Sequence, residues 1–159
     1  MLVCLLIALS PAPNVLSIRG DVPSTGYTLG AIQTMPAVTI DWTHHDKKSA
    51  AKGVPLLDLL KLAGWTAGPH GKDVKAKEKH SGSRFVAVVT AADGYQAVFS
   101  VAELADGKTT ALLAYAIDGM ALEPDLGPLR LVVTSDGSPA RSIYQVRSID
   151  LVDMRRVVK

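Results

Sequence analysis

The stretch LLAYAIDGMALEPDLGPLRLVV, residues 112–133, carries the strongest signal for the fold. Its apolar first arm leads into Asp118-Gly119, a pair that favours a tight hairpin turn because both residue types tolerate positive φ. Residues 120–122 would form the returning arm, and the continuous apolar run at residues 129–133 predicts a buried strand. Composition alone also permits a helix in the first arm, but the turn favours paired strands.

Further strands are predicted on both sides of this stretch, because apolar residues alternate or run together between turn-forming residues. These strands cover residues 15–19, 37–42, 85–90, 95–99 and 144–152. Residues 43–52 read THHDKKSAAK, which has no apolar period and predicts an exposed polar loop. Residues 68–84 contain Val74 as their only large aliphatic residue and predict a long surface loop.

Helices are few and are marked by their end residues. Thr28 is placed to cap a short helical turn, and residues 53–55 are expected to open the clearest helix, which ends at Gly64. Ser100 and Glu103 form a capping-box pattern at the start of another short helix. Two main helices among about seven strands predict an α+β fold.

Length and composition fit a single globular domain. The chain has 159 residues, of which 48% are hydrophobic and 20% are charged, so disordered and fibrous classes are excluded. The formal net charge of +2 is too small to indicate a nucleic-acid or membrane partner. Basic residues between positions 72 and 84 alternate with acidic ones, which predicts a solvated loop rather than a surface for an anionic partner.

The N-terminal segment indicates export. Residues 2–9 form an apolar run that is too short for a membrane-spanning helix of about 20 residues but matches the apolar region of a signal peptide. We therefore expect residues 1–12 to be the remnant of a signal peptide, residues 13–159 to form the domain, and the protein to be periplasmic or secreted. The alternative is an ordinary buried N-terminal strand in a cytoplasmic protein. Cys4, the only cysteine, lies in this run, so no intramolecular disulfide is possible.

Several of these motifs together resemble the molybdopterin-binding domain of the sulfite oxidase family. Residues 112–133 are similar to its C-terminal half, which has an L-L-A-Y sequence, a turn ending in glycine, a leucine, and then glycine, proline and arginine before a hydrophobic strand. Residues 53–64 resemble the helix after the family's metal loop, and residues 93–100 resemble a third segment. The resemblance covers residues 15–152 and implies a single domain of mixed, layered β-sheets.

The resemblance also implies a cofactor and the residues that hold it. In the family a cysteine thiolate ligates molybdenum at the end of the strand before the metal loop, where Trp42 or its neighbour falls here. Arg130 and Arg141 match basic positions that hold the pterin phosphate. Tyr95 matches a tyrosine near the substrate pocket, with an ordinary hairpin tyrosine as the alternative. Other family positions have changed, namely those of Leu126, Thr134 and Tyr144.

His44 and His45 are further candidates for contact with a cofactor. Together with Asp46 they suggest a transition-metal site, but adjacent residues rarely converge on one ion, so we predict solvated histidines and no metal site. The chain is thus interpreted as a module that lacks molybdenum redox catalysis and binds at most a small anion or pterin, with a protein partner also possible. The alternative is an active molybdopterin-dependent oxidoreductase, or a subunit of one, with non-cysteine coordination of the metal.

Overall fold

The computed structural model of the protein describes residues 11–44, 47–66, 81–107, 109–136 and 139–157. These residues form strands β1 Asn14–Gly20, β2 Thr25–Thr28, β3 Val38–His44, β4 Lys47–Pro55, β5 Phe85–Ala91, β6 Gln96–Ser100, β7 Ala111–Ile117, β8 Met120–Ala121, β9 Arg130–Val133 and β10 Val146–Asp153. The α-helices are α1 Leu29–Gln33, α2 Leu56–Leu62 and α3 Val101–Ala105, and short 3-10 turns cover Ser81–Arg84, Pro139–Arg141 and Met154–Arg156.

The strands form two sheets. The first has the order β2-β1-β10-β5-β6, in which β1 and β10 run parallel and the other neighbours run antiparallel. The second has the order β3-β4-β7, and the far edge of β7 pairs with β9 along its first half and with β8 at its end. This arrangement of mixed sheets with few short helices confirms the predicted α+β class.

One main core lies between the sheets. Strand alternation places one face of each strand inward, and fully buried side chains come from both sheets and from α2. They include Leu16, Ile18, Leu56, Leu59, Leu60, Val89, Phe99, Leu113, Leu131 and Ile149. Burial of each such side chain contributes about 1.5–3 kcal/mol, so this layer is the main source of stability.

Two of the three local cap signals were predicted correctly. Thr28 Oγ1 accepts a hydrogen bond from the Ala31 N–H at 3.2 Å at the start of α1. Gly64, with φ of +102°, follows the end of α2. The capping box at Ser100 was wrong in detail, because Ser100 Oγ accepts from the N–H two residues on and Glu103 instead accepts from an arginine.

The predicted polar loop at residues 43–52 was wrong. Its second half belongs to β4, which lies between β3 and β7 and continues to Pro55, so α2 begins only at Leu56. The buried positions of this strand include Ala51 and Gly53, and these small residues give no apolar alternation in the sequence. Its strand conformation comes from hydrogen bonding to two neighbouring strands, which a local pattern does not report.

A second, smaller cluster lies on the other face of the second sheet. It consists of Trp42, Ala51, Leu112, Ala114 and Val132. Alternation along β9 turns Arg130 towards the same face as Val132, since these residues pair with Ala114 and Leu112 of β7. This cluster therefore supports the arginine that the sequence analysis singled out.

Ion pairs hold the C-terminal end of β10. The Asp153 carboxylate, whose side chain is 4% exposed, lies 3.1 Å from Arg84 Nε and 2.6 Å from Arg155 Nη2. The hydrogen bonds from Arg155 hold the pKa of Asp153 at about 2, below its ordinary value of 3.8. A carboxyl group with a depressed folded-state pKa contributes stability that is complete above its unfolded pKa and is lost as the pH falls.

This pair predicts a pH-dependent effect of Asp153→Asn. At pH 6 the variant should unfold at clearly lower urea concentration than the wild type, because it loses the charged partner of two arginines. Between pH 4 and pH 2 the difference in urea midpoint should shrink as the wild-type carboxyl is protonated. Urea titrations followed by circular dichroism measure it, and a difference that stays constant down to pH 2 would contradict the assignment.

No helix within the described ranges is both long enough and apolar enough to cross a membrane. Most of the expected signal segment, with Cys4, lies outside these ranges, and export stays a prediction. His45 and most of the loop at residues 68–84 also lie outside them.

Candidate anion-binding site

Arg130 lies against two aromatic rings. Its guanidinium carbon lies 4.3 Å from the centroid of the Trp42 ring and 4.0 Å from that of Tyr144. Trp42 comes from β3, whereas Tyr144 comes from the segment before β10, so the two rings reach the arginine from different parts of the chain. Stacking of a cation on the faces of aromatic rings is attractive, and it fixes the plane of the guanidinium.

The buried guanidinium retains unused hydrogen-bond donors. Arg130 is 4% exposed, and its Nε and Nη2 atoms have no hydrogen-bond partner. Burial lowers the pKa of Arg130 below the ordinary value, and a hydrogen bond with the Tyr144 side chain opposes this shift. Arginine nevertheless stays protonated in proteins. Within the described part of the chain, no carboxylate forms an ion pair with it, so a positive charge is buried with two donors unsatisfied.

A cavity of about 320 Å³ lies against this arginine. Most of its wall is apolar and comes from the ends of β3 and β7, from β8 and from the following loop. The side chains lining it are Trp42, Lys47, Ser49, Ile117, Asp118, Met120, Ala121, Leu122, Glu123, Leu126 and Arg130. Arg130 and Lys47 are the cations among these lining residues.

Asp118 forms part of the wall of this cavity. The residue has φ of +51°, as its place in the hairpin turn requires. Its carboxylate accepts a hydrogen bond from the Ala50 N–H at 2.7 Å, and its own N–H donates to the Ala50 carbonyl at 2.8 Å. These contacts, with further contributions from Ser49 and Lys47, lower the pKa of Asp118. The carboxylate is therefore ionised and occupied in joining β4 to the turn after β7.

Arg141, the other predicted anchor, is occupied by acidic partners. Its Nε donates to Asp136 at 2.8 Å, its Nη1 donates to Glu103 at 2.6 Å, and its guanidinium lies over the Phe99 ring. Hydrogen bonding to Asp136 is the main cause of the raised pKa of Arg141. Arg141 does not line the cavity beside Arg130, and the structure gives it a role in joining α3 and β6 to the loop after β9.

Tyr95 lies at a different cavity. Its side chain is 51% exposed, and its hydroxyl donates to the Ala140 carbonyl at 3.0 Å. This cavity has a volume of about 500 Å³ and carries the carboxylates Asp93 and Asp125 among its lining residues, together with Tyr144. Tyr95 therefore does not line the cavity beside Arg130. Tyr144 lines the cavity that contains Tyr95 and also contacts Arg130.

The structure does not describe the side chains of the two histidine candidates. His44 ends β3, but only its backbone is described, and His45 lies outside the described residues. Within those residues, no group of three or more histidine, cysteine, aspartate or glutamate side chains is arranged to hold a metal ion. Of the predicted residues whose side chains are described, Arg130 is the one at this cavity. It contacts Trp42 and Tyr144, which the sequence had indicated only as changes from the family pattern.

Comparisons with known proteins agree with this fold. Comparison with curated protein sequences gives no match. Among solved structures, the sulfane dehydrogenase SoxCD from Paracoccus pantotrophus is similar, with a TM-score of 0.59 and 21% sequence identity. The alignment covers 87% of this chain but 38% of the SoxCD chain, so the chain spans well under half the length of that relative. At this identity the likeness shows the fold alone.

The family assignment rests on a match along nearly the whole chain. The model of the oxidoreductase molybdopterin binding domain matches residues 10–156, which include all ten strands. This match confirms the resemblance that the motifs at residues 53–64, 93–100 and 112–133 indicated. The chain therefore belongs to the oxidoreductase molybdopterin-binding domain family.

Proposed function

We propose that this domain is a binding module of the family that recognises an anion through Arg130 and does not carry out molybdenum redox chemistry. The observation that carries the proposal is the position of Trp42. Near the strand end where the resemblance implies a metal-ligating cysteine, the Trp42 indole is 7% exposed and packs on the guanidinium of Arg130. An indole offers no thiolate to a metal.

The residues of this site fit the phosphate of the family's cofactor but not its molybdenum. A pterin phosphate needs charge-assisted donors, and the unpartnered Nε and Nη2 atoms of Arg130 supply them. The resemblance implies a cysteine thiolate as the ligand of molybdenum from the protein, and the only cysteine in the sequence is Cys4, in the N-terminal apolar run. Arg141 gives no second anchor, because Asp136 and Glu103 already occupy it. The residues present therefore favour anion recognition over metal coordination.

The proposal predicts the metal content of the purified protein. When the chain is produced in a bacterium that makes molybdopterin, molybdenum by mass spectrometry should be far below one atom per chain. Pterin fluorescence after denaturation should show whether the organic part alone is retained, and protein from a strain unable to make the cofactor gives the background. Any retained pterin should be lost in Arg130→Ala. Molybdenum and pterin in equal, stoichiometric amounts would support the oxidoreductase alternative instead.

A further inference from the structure

We infer that the cavity beside Arg130 binds a small organic anion whose flat apolar body lies between Trp42 and Met120 and whose carboxylate or sulfonate pairs with Arg130. This inference rests on the proposed function and names the ligand class of that same site. It follows from the charge, the shape and the size of the cavity, which are considered in turn.

The charges that line the cavity favour an anion beside Arg130. Of the two cations that line the described cavity, Lys47 is exposed, whereas Arg130 is buried and two of its donor atoms lack partners. Of the two carboxylates in the wall, Asp118 is engaged with the backbone of Ala50, and Glu123 is exposed to solvent. A ligand carboxylate would therefore meet an unpaired guanidinium in surroundings of low dielectric constant, where such a pair is strong once the cation has already been desolvated.

The geometry of the guanidinium selects a two-oxygen anion. The guanidinium carbon lies over the rings of both Trp42 and Tyr144, so we expect a ligand to reach the guanidinium at its edge. The two unpartnered atoms, Nε and Nη2, form one side of the planar fork, which matches the two oxygens of a carboxylate or sulfonate. Tyr144 is 38% exposed and lies outside the regular strands, whereas Trp42 is buried, so the Tyr144 side of the guanidinium is the one nearer to solvent.

The walls of the cavity select an apolar body. Ile117, Leu122 and Leu126 line it together with Met120, which is 70% exposed and lies at the hairpin end. A thioether side chain adapts its shape to a bound ring, and a bare inorganic ion would leave these apolar surfaces in water. The volume of about 320 Å³ lies at the lower end of the range for ligand sites, which favours a molecule the size of a substituted benzene.

Calorimetric titration with four probes tests the inference. Phenylacetate and benzenesulfonate should bind, whereas phenylacetamide, which has nearly the same shape without the charge, should bind at least tenfold more weakly. Inorganic phosphate, which has the charge without the apolar body, should also bind at least tenfold more weakly. Equal affinity for the amide would overturn the role of the charge, and equal affinity for phosphate would overturn the role of the apolar wall.

Matched variants locate the site. Arg130→Met should weaken phenylacetate binding about 100-fold, because it removes a charge-assisted pair of hydrogen bonds while keeping the length of the side chain. Arg147→Met, a change at an exposed position of β10, should leave the Kd within twofold of the wild type. Met120→Ala should weaken the two aryl anions but not phosphate. Unchanged binding in Arg130→Met, with both variants folded by circular dichroism, would overturn the location.

The two proposals fail in different ways. Binding of phosphate without binding of either aryl anion would overturn the ligand class and leave the proposed anion-binding module standing. A stoichiometric content of molybdenum and pterin in the same preparation would overturn the proposed function whatever the titrations gave. The absence of binding for all four probes at millimolar concentration would overturn the inference.

Discussion

Gly53→Ala should lower the free energy of unfolding by roughly 3 kcal/mol or more, a value at the upper end for single substitutions. An added Cβ at this position in β4 would lie 2.1 Å from the Leu113 carbonyl oxygen and 2.6 Å from the Ala114 Cα. Both atoms belong to the backbone of β7, which is itself paired on both edges. The clash can be relieved only by separating β4 from β7, and urea denaturation followed by circular dichroism measures the loss.

Gly30→Ala provides a matched control for this prediction. Gly30 lies in α1, where the nearest atom to an added Cβ is Thr28 Oγ1 at 4.0 Å. Because alanine is a better helix former than glycine, this substitution should leave stability unchanged or raise it by about 0.5–1 kcal/mol. A Gly53→Ala variant as stable as Gly30→Ala would show that the two strands do not approach as closely as described.

Arg130→Met should have the opposite effect and raise the free energy of unfolding by about 1–2 kcal/mol. Removal of a buried charge in favour of an apolar side chain of similar length is often stabilising, because the cost of desolvation disappears. Contacts with the rings of Trp42 and Tyr144 offset part of that cost in the wild type. For a domain of this size the gain corresponds to an increase in Tm of about 2–8 °C.

Thermal denaturation checks this prediction against Arg147→Met, which should leave the Tm nearly unchanged because its side chain is exposed. A stabilised Arg130→Met variant that has also lost anion binding would indicate that the arginine is kept for function at a cost in stability. A fall of several degrees in the Tm would instead assign Arg130 a structural role in its aromatic surroundings.

The parts of the fold that depend on residues close together in the sequence were predictable. The Asp118-Gly119 turn, the Thr28 cap and the end of α2 at Gly64 are each decided within a few residues, and the structure has them as expected. Strand β4 was missed for the opposite reason. Its small side chains are explained by the close approach of β7, a strand about 60 residues later in the chain, and no local period records such a contact.

The candidate site was predictable only in part, for the same reason. Arg130 was singled out because it stands in a motif, but its two aromatic covers come from segments far apart in the sequence. Trp42 and Tyr144 had been interpreted as losses from the family pattern, and the structure gives both a contact with the arginine. Arg141 was assigned to the cofactor because it matches a basic position of the family. Its pairing with Glu103 depends on the position of α3 and was therefore not predictable from the sequence.

The parallel pairing of β1 with β10 has a consequence for how the protein reaches its native state. Arg19 and Asp150, which face each other across this pair, are 131 residues apart in the chain. Because β10 is the middle strand of its sheet, β1 and β5 acquire their shared neighbour only when residues 146–153 are available. The loss of chain entropy on closing so long a loop occurs late in folding. Contacts of such long range slow folding. A nascent chain in which residues 146–153 are still inside the ribosome therefore holds an unfinished sheet, and termination before residue 146 would leave β1 and β5 without the strand that pairs with both.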